Sequence, residues 1–209
     1  MGFIAVIDYD MGNLHSACKG LEKVGGNPKV TDSPQDLAAA SAVVLPGVGS
    51  FDPAVRQLRD RHLVEPIHQA IASGKPFLGI CLGLQILFES SEEGTEPGLG
   101  IIPGQVRRFQ SEPGLTIPHM GWNPLQLSQP DCPLWQDLGD HPSVYFVHSY
   151  FVVPQDPQVC AAQVTHGSQT VTAAIAQENI MAVQFHPEKS SQTGLKMLEN
   201  FVRQSQLGS

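Results

Sequence analysis

The chain has 209 residues, and its 20 acidic side chains outnumber the 12 lysines and arginines, which gives a formal net charge of −8. This balance excludes the broad basic face that a nucleic-acid-binding protein needs. The longest apolar run, residues 77–88, is too short and too rich in glycine to cross a bilayer, so no membrane partner is expected. The length suits one compact α/β domain over residues 1–209.

The first half of the chain alternates strand and helix patterns. The apolar run at residues 3–7 predicts a buried strand, and Asn13 is expected to cap the helix that Gly25 and Gly26 end. The next two helices are expected to open at Ser33 with Pro34 and at Asp52 with Pro53, and a further helix is expected at 66–73. Strands are predicted at 29–31, at 42–45 and up to Cys81. This order predicts a parallel sheet with helices on both faces, whose loops after the strands share one edge.

The second half has a different pattern. Residues 90–103 are rich in Gly, Glu and Ser and are expected to form a loop. Strands are then predicted at 105–109, 116–118, 144–153, 159–165, 171–176 and 180–185, followed by a helix at 193–203. Because no long crossover helix separates these strands, we expect antiparallel or mixed strands added to the parallel core.

The four cysteines indicate a reducing compartment. Cys18, Cys81, Cys132 and Cys160 are scattered, with no Cys-x-x-Cys pair and no histidine at zinc-finger spacing, so neither a disulfide framework nor a metal site is expected. The first residues lack the basic region of a signal peptide. We therefore expect a cytoplasmic protein.

Cys81 stands where an apolar strand runs directly into a helical pattern, with Gly79 and Gly83 two residues away on either side. This arrangement is typical of a strand-to-helix elbow that exposes a nucleophile, because the glycines let strand and helix pass close together. A helix N-terminus would also favour the thiolate. The alternative is a small buried cysteine in a core strand.

A thiolate nucleophile needs a base, and the base needs an orienting group. The strand at 180–185 ends at His186-Pro187-Glu188. In an extended chain, residues two apart project to the same side, so Glu188 would hold the imidazole of His186 in one tautomer. The alternative is an ordinary surface turn after an edge strand.

A glycine-containing turn follows the strand at 42–45. Acyl transfer builds an oxyanion, which free backbone N–H groups stabilise. The expected donors are Val48 and Gly49 in this turn and Leu82 after the nucleophile. Such a turn could also hold a phosphate, but the chain has neither a Gly-x-Gly-x-x-Gly motif nor a Walker lysine, and no cofactor is expected.

The chain resembles the class I, or triad, glutamine amidotransferases in three segments: the elbow at 79–85, the turn at 46–49 and the ending 186–188. The resemblance covers nearly the whole chain and implies a three-layer, flavodoxin-like α/β fold. A more specific resemblance is to the glutaminase subunits of imidazole glycerol phosphate synthase, an enzyme of histidine biosynthesis. It lies in segments 8–14, 119–123 and 145–150. One departure is Asp10, where that family more often has glycine.

The resemblance also implies site roles. Cys81 would attack the amide of glutamine, His186 would move the proton, and a γ-glutamyl thioester would be hydrolysed to glutamate. The implied glutamine-holding residues are Gly47, Gln85, Glu93, Ser149 and Tyr150. For Glu93 a solvated loop acid is the alternative, because other glutamates share that loop.

The implied partner is a cyclase (β/α) barrel in a 1:1 heterodimer, which binds the phosphoribosyl substrate and receives ammonia. The implied interface residues are Asn13, Met120, Trp122, Asn123, Tyr145 and Lys189. Trp122 could instead fill the core of the second half. Two other functions stay open at this point: a non-catalytic scaffold, and a stand-alone γ-glutamyl hydrolase or cysteine peptidase of the same fold.

Overall fold

The computed structural model describes residues 2–207. Its strands are β1 (Ile4–Ile7), β2 (Pro28–Thr31), β3 (Ala42–Gly47), β4 (Phe77–Cys81), β5 (Ser90–Ser91), β6 (Gly104–Arg108), β7 (His119–Pro124), β8 (Gln126–Leu127), β9 (Ser143–His148), β10 (Tyr150–Pro154), β11 (Cys160–His166), β12 (Gln169–Gln177) and β13 (Ile180–Val183). Its α-helices are α1 (Leu14–Lys23), α2 (Pro34–Ala39), α3 (Phe51–Asp60), α4 (Val64–Ala72), α5 (Leu82–Gln85) and α6 (Ser191–Leu207). No helix in this part of the chain is long and apolar enough to span a membrane.

One large mixed sheet organises the molecule. Its parallel part runs in the order β2-β1-β3-β4-β13. Strands β12, β10 and β6 continue it with antiparallel pairing, and β5 pairs parallel to β6 at the far edge. The prediction of a parallel core with added mixed strands is confirmed. Strand β13, the last strand in the sequence, lies directly beside β4, and this brings the residues that follow β13 next to Cys81.

Two hydrophobic cores cover the two faces of this sheet. Side chains alternate along a strand, and Ile4 and Val6 of β1 accordingly join the core that contains Leu21 of α1 and Phe201 of α6. Ala5 and Ile7 join the other core, which α2, α3 and α4 complete. The result is three layers with the parallel strands buried on both faces.

Two of the three predicted helix-capping residues were right. Asn13 caps α1 by accepting a hydrogen bond from the Ser16 N–H, and Ser33 caps α2 in the same way through the Asp36 N–H. Helix α3 instead begins at Phe51, and Asp52 does not cap it. The Asp52 carboxylate lies within the first turn and accepts from the N–H groups of Thr95 and Glu96 across the following loop.

Two strand predictions in the second half were wrong. Residues 116–118 form no strand, because the pairing begins at His119 in β7. The apolar run 144–153 is not one strand but two, β9 and β10, which break at Ser149 and belong to different sheets. Strand β9 pairs with β7 in a separate two-stranded sheet, whereas β10 pairs with β6 and β12. The predicted loop at 90–103 also holds the short strand β5.

Gly83 provides a direct test of how closely β3 and α5 approach. A Cβ atom at this position would lie 1.9 Å from the carbonyl oxygen of Leu45, which is backbone and cannot rotate away. We expect Gly83→Ala to lower the free energy of unfolding by about 3 kcal/mol, the upper end of the usual cost of overpacking. Urea denaturation measures this change.

Gly139→Ala is the matched control, because a Cβ there would meet nothing within 4 Å. Equal denaturation midpoints for the two variants would contradict the close approach.

Candidate active site

Cys81 is the last residue of β4 and immediately precedes α5. Its backbone has φ 56° and ψ −109°, a conformation that residues with a side chain rarely adopt. A Cβ on Gly79 would lie 2.9 Å from the carbonyl oxygen of Gly83, so both flanking glycines are needed for strand and helix to turn this tightly. The predicted strand-to-helix elbow is present, but the expected exposure of Cys81 was wrong: the residue is only 9% exposed and packs within a hydrophobic core cluster. All four cysteines are free thiols.

His186 and Glu188 form a buried pair beside Cys81. The Nδ1 atom of His186 lies 2.7 Å from Oε1 of Glu188, and both side chains are almost fully buried. The two residues do not share an extended strand, because Pro187–Lys189 form a 3-10 turn that brings the carboxylate back to the ring. Burial lowers the pKa of His186, but its hydrogen bonds and charge interactions with Cys81 and Glu188 outweigh burial and raise that pKa to about 9.

The turn at 46–49 is held by the first loop of the chain. The Tyr9 hydroxyl donates to the Pro46 carbonyl at 2.8 Å, and the Val48 N–H donates to the Met11 carbonyl at 2.6 Å. The Val48 N–H is therefore not available to an oxyanion in this conformation. Gly49 has φ 102°, which glycine adopts without strain. The Leu82 N–H opens α5, where first-turn N–H groups have no partner within the helix.

Asp10 has a backbone conformation that glycine adopts more readily than other residues. Its φ is 62°, in the left-handed region. Its carboxylate forms an ion pair with Arg61, just beyond α3, so this chain holds the strained loop with a side chain. The Met11 carbonyl that accepts the Val48 N–H follows directly.

A cleft of about 330 Å³ opens over Cys81. Most of the predicted site residues line it: Val48, Gly49, Cys81, Leu82, Gln85, Glu93, Ser149, Tyr150 and His186. Gly47 does not line this cleft. A Cβ on Gly47 would be 2.4 Å from the Tyr9 hydroxyl and 2.9 Å from the Leu82 Cβ, so only glycine fits there, and its contact with glutamine stays a prediction. Pro118, Val147 and His148 also line the cleft and were not predicted.

Glu93 is fixed at the edge of the cleft rather than solvated. Its Oε2 atom accepts from the Phe51 N–H at 2.9 Å, at the positive N-terminus of α3. This contact leaves the second carboxylate oxygen for another donor.

Gln85 is bound by Gln184, a residue that the sequence did not lead us to expect in the site. Its Nε2 atom donates to the Tyr150 carbonyl at 3.2 Å and to Oε1 of Gln184 at 3.1 Å. Nε2 of Gln184 in turn lies 3.7 Å from Sγ of Cys81. The available signal was an amide side chain inside the otherwise apolar run 180–185.

Two buried histidines continue this network towards the two-stranded sheet. Nδ1 of His148 lies 2.8 Å from the Tyr150 carbonyl, so it carries the proton and Nε2 accepts from Nδ1 of His119 at 2.9 Å. Nε2 of His119 then accepts from the Asn123 amide at 2.8 Å. Burial lowers the pKa of His148 to about 3, and burial together with the charge of His166 lowers that of His119 to about 4.

The implied interface residues divide into two groups. Met120 and Trp122 on β7 are 60% and 53% exposed, Tyr145 lies opposite Trp122 on β9, and Lys189 is exposed. These four present apolar and basic groups to solvent, and Trp122 does not fill the core. Asn13 and Asn123 make internal contacts instead, as the α1 cap and as the donor to His119.

These histidines predict how the free energy of unfolding depends on pH. Unfolded histidines titrate near pH 6.5, at about the ordinary pKa. The pKa values of His148 and His119 are lowered to about 3 and about 4 in the folded protein. Their contribution to the free energy of unfolding is therefore full above pH ~6.5 and is lost as the pH falls towards the lowered values. The raised pKa of His186, about 9, makes its contribution full below pH ~6.5 and lost as the pH rises towards 9.

Urea denaturation between pH 4.5 and 9 measures both effects. His186→Gln should flatten the alkaline limb only, whereas the exposed His141→Gln should leave both limbs unchanged. An alkaline limb that persists unaltered in His186→Gln would contradict the assignment.

Comparison with known proteins identifies the relatives of this chain. The family model described as "Glutamine amidotransferase class-I" matches residues 5–205. The imidazole glycerol phosphate synthase subunit HisH of Microcystis aeruginosa is 74% identical over 206 residues, which cover 99% of this chain and 97% of that protein. The subunit of the same name from Synechocystis sp. is 71% identical over 203 residues, 97% of each chain.

Solved structures agree in fold at much lower identity. A crystal structure of a glutamine amidotransferase is 17% identical with a TM-score of 0.76, covering 98% of this chain and 100% of the other. The structure of PurLQS from Thermotoga maritima is 24% identical with a TM-score of 0.73, covering 99% and 98%. The family-model match and the high identity over nearly full length show that this chain belongs to the class I glutamine amidotransferases.

Proposed function

We propose that this chain is the glutaminase subunit of an imidazole glycerol phosphate synthase. It hydrolyses glutamine to glutamate and ammonia, and a cyclase subunit uses the ammonia to make imidazole glycerol phosphate and AICAR in histidine biosynthesis. The relatives named as HisH subunits support the assignment. The observation that carries it is the strained Cys81 elbow in one cleft with the His186–Glu188 pair.

The proposed reaction uses three side chains. Glu188 binds Nδ1 of His186, which leaves Nε2 to accept the proton of Cys81. The thiolate then attacks the side-chain amide carbon of glutamine, and the leaving ammonia takes its proton from Nε2. Water hydrolyses the remaining γ-glutamyl thioester. The raised pKa of His186, about 9, favours its imidazolium form before substrate is attacked.

The proposed oxyanion donors are Leu82, Val48 and Gly49. The Leu82 N–H is at a helix N-terminus, whereas the Val48 peptide has to leave the Met11 carbonyl before it can donate. Glycines on both sides of Val48 make such a rotation inexpensive. The isolated subunit is therefore idle in this proposal until the turn changes.

The proposed glutamine contacts follow from the cleft. Glu93, fixed by the Phe51 N–H, presents a negative charge to the α-ammonium group of glutamine. Gln85, Ser149 and Tyr150 line the same cleft. The Tyr150 carbonyl already accepts from Gln85 and His148, so it acts by holding those side chains in place.

The proposed partner is a cyclase (β/α) barrel in a 1:1 heterodimer. The exposed Trp122 packs edge-on against Tyr145 and stands beside Met120, and exposed aromatic side chains of this kind anchor interfaces.

We also propose that the chain acts as one domain over residues 1–209 and works in the cytoplasm, where its four thiols would stay reduced.

Cys81→Ala tests the chemistry. Glutamate release in the presence of the cyclase subunit and its ligand should fall to background, because no other described side chain replaces the sulfur, while the complex still forms. Cys18→Ala on α1 is the matched control and should keep the wild-type rate. Wild-type glutamate release from Cys81→Ala would overturn the proposed function.

Trp122→Ala tests the partner face. We expect the Kd for the cyclase subunit to rise about 30-fold, which corresponds to a loss of about 2 kcal/mol at an interface anchor. The partner-dependent increase in glutaminase rate should weaken at subsaturating cyclase. Val30→Ala, which shortens an exposed apolar side chain on the edge strand β2, is the control. Unchanged affinity in Trp122→Ala would place the interface elsewhere.

A further inference from the structure

Gln184 is a fully buried amide beside the nucleophile, with 0% of its surface exposed. It follows β13 directly, between Val183 and Phe185, and its own N–H donates to the Ala173 carbonyl at 2.8 Å. A buried amide side chain is costly unless its polar atoms are bonded. Its contacts therefore define what it does.

The hydrogen-bond network fixes which end of the Gln184 amide faces Cys81. The Tyr150 carbonyl can only accept, so the atom of Gln85 that approaches it must be the nitrogen. The same Gln85 nitrogen lies 3.1 Å from Gln184, and a donor there requires the Gln184 oxygen. The Gln184 nitrogen consequently points at the sulfur, 3.7 Å away, and swapping either amide would set like atoms against each other.

We propose that Gln184 is a further catalytic residue, whose side-chain N–H stabilises the thiolate of Cys81 by donating a hydrogen bond to its sulfur. The inference rests on the proposed glutaminase function for its place in catalysis. When His186 takes the thiol proton, the S–H bond breaks and its electron pair stays on the sulfur. A hydrogen bond to that charged sulfur is stronger than one to a neutral thiol, so it favours the charged form.

The network also explains why this donor is held in place. Gln85 anchors the Gln184 oxygen, and the Tyr150 carbonyl anchors Gln85 together with the His148 ring. Removing Gln85 frees the Gln184 amide to rotate but leaves it present. The effect on the sulfur should then have the same sign as removal of Gln184 and be smaller.

The test is the rate at which iodoacetamide alkylates Cys81 in the full-length chain as a function of pH, followed at that residue by mass spectrometry. Gln184→Met keeps the length of the side chain and removes the donor. We expect the midpoint of its rate profile to move up by about one pH unit, and its alkylation rate at neutral pH to fall about tenfold. Gln85→Met should lie between the wild type and Gln184→Met.

Gln177→Met, at an exposed position of β12, is the matched control and should keep the wild-type profile. With the cyclase subunit present, Gln184→Met should lower kcat for glutamine hydrolysis about tenfold and leave KM unchanged, because Gln184 contacts the sulfur and is not a predicted glutamine-holding residue. A residue that acts only through packing would not move the pH midpoint. Should Gln184→Met fail to fold, Gln85→Met carries the same comparison.

The role of Gln184 and the proposed glutaminase function can be disproved independently. An unshifted alkylation midpoint in folded Gln184→Met, or in Gln85→Met if Gln184→Met does not fold, would overturn the role of Gln184, even with normal glutamate release by the wild type. A shifted midpoint in a protein that releases no glutamate with any cyclase subunit would overturn the proposed function and leave the hydrogen bond to sulfur standing.

Discussion

The close passage of β3, β4 and α5 around Cys81 is the constraint on which the rest of the structure depends. A methyl group on Gly83 would meet the Leu45 carbonyl at 1.9 Å, so only glycine allows the helix to start directly after the strand. Cys81 is thereby held at φ 56°, with its sulfur in the cleft and a helix N-terminus behind it. The packed layers on both faces of the sheet keep this strained turn in place.

Sheet topology then brings the other proposed catalytic groups to Cys81. Because β13 pairs parallel to β4 with Val183 opposite Ile80, the residues that follow both strands emerge at the same edge. The chain places His186 and, through a 3-10 turn, Glu188 there, and Gln184 approaches the sulfur from the same strand end. The separate β7–β9 sheet carries the exposed Trp122 and connects to the cleft through His119 and His148.

The sequence allowed the fold class and the elbow to be predicted because both leave local signals: alternating apolar runs, and glycines at fixed distances from a cysteine. The contacts between distant segments could not be predicted in this way, because a local signal does not say which residue will be the partner. The Met11 carbonyl that occupies the Val48 N–H, the break at Ser149 and the amide of Gln184 against Cys81 each depend on which segments the tertiary fold brings together. The Ser149 break lies in a run without glycine or proline, so nothing local marks it.

The proposed mechanism requires Cys81 to be the nucleophile of a glutamine-binding cleft. The most direct measurement is covalent labelling of the full-length chain, in complex with a cyclase subunit, by a chloroketone analogue of glutamine, with the modified residue mapped by mass spectrometry. We expect labelling of Cys81 alone among the four cysteines, with protection by excess glutamine. Labelling that spreads over Cys18, Cys132 or Cys160 at comparable rates, or that glutamine does not slow, would contradict it.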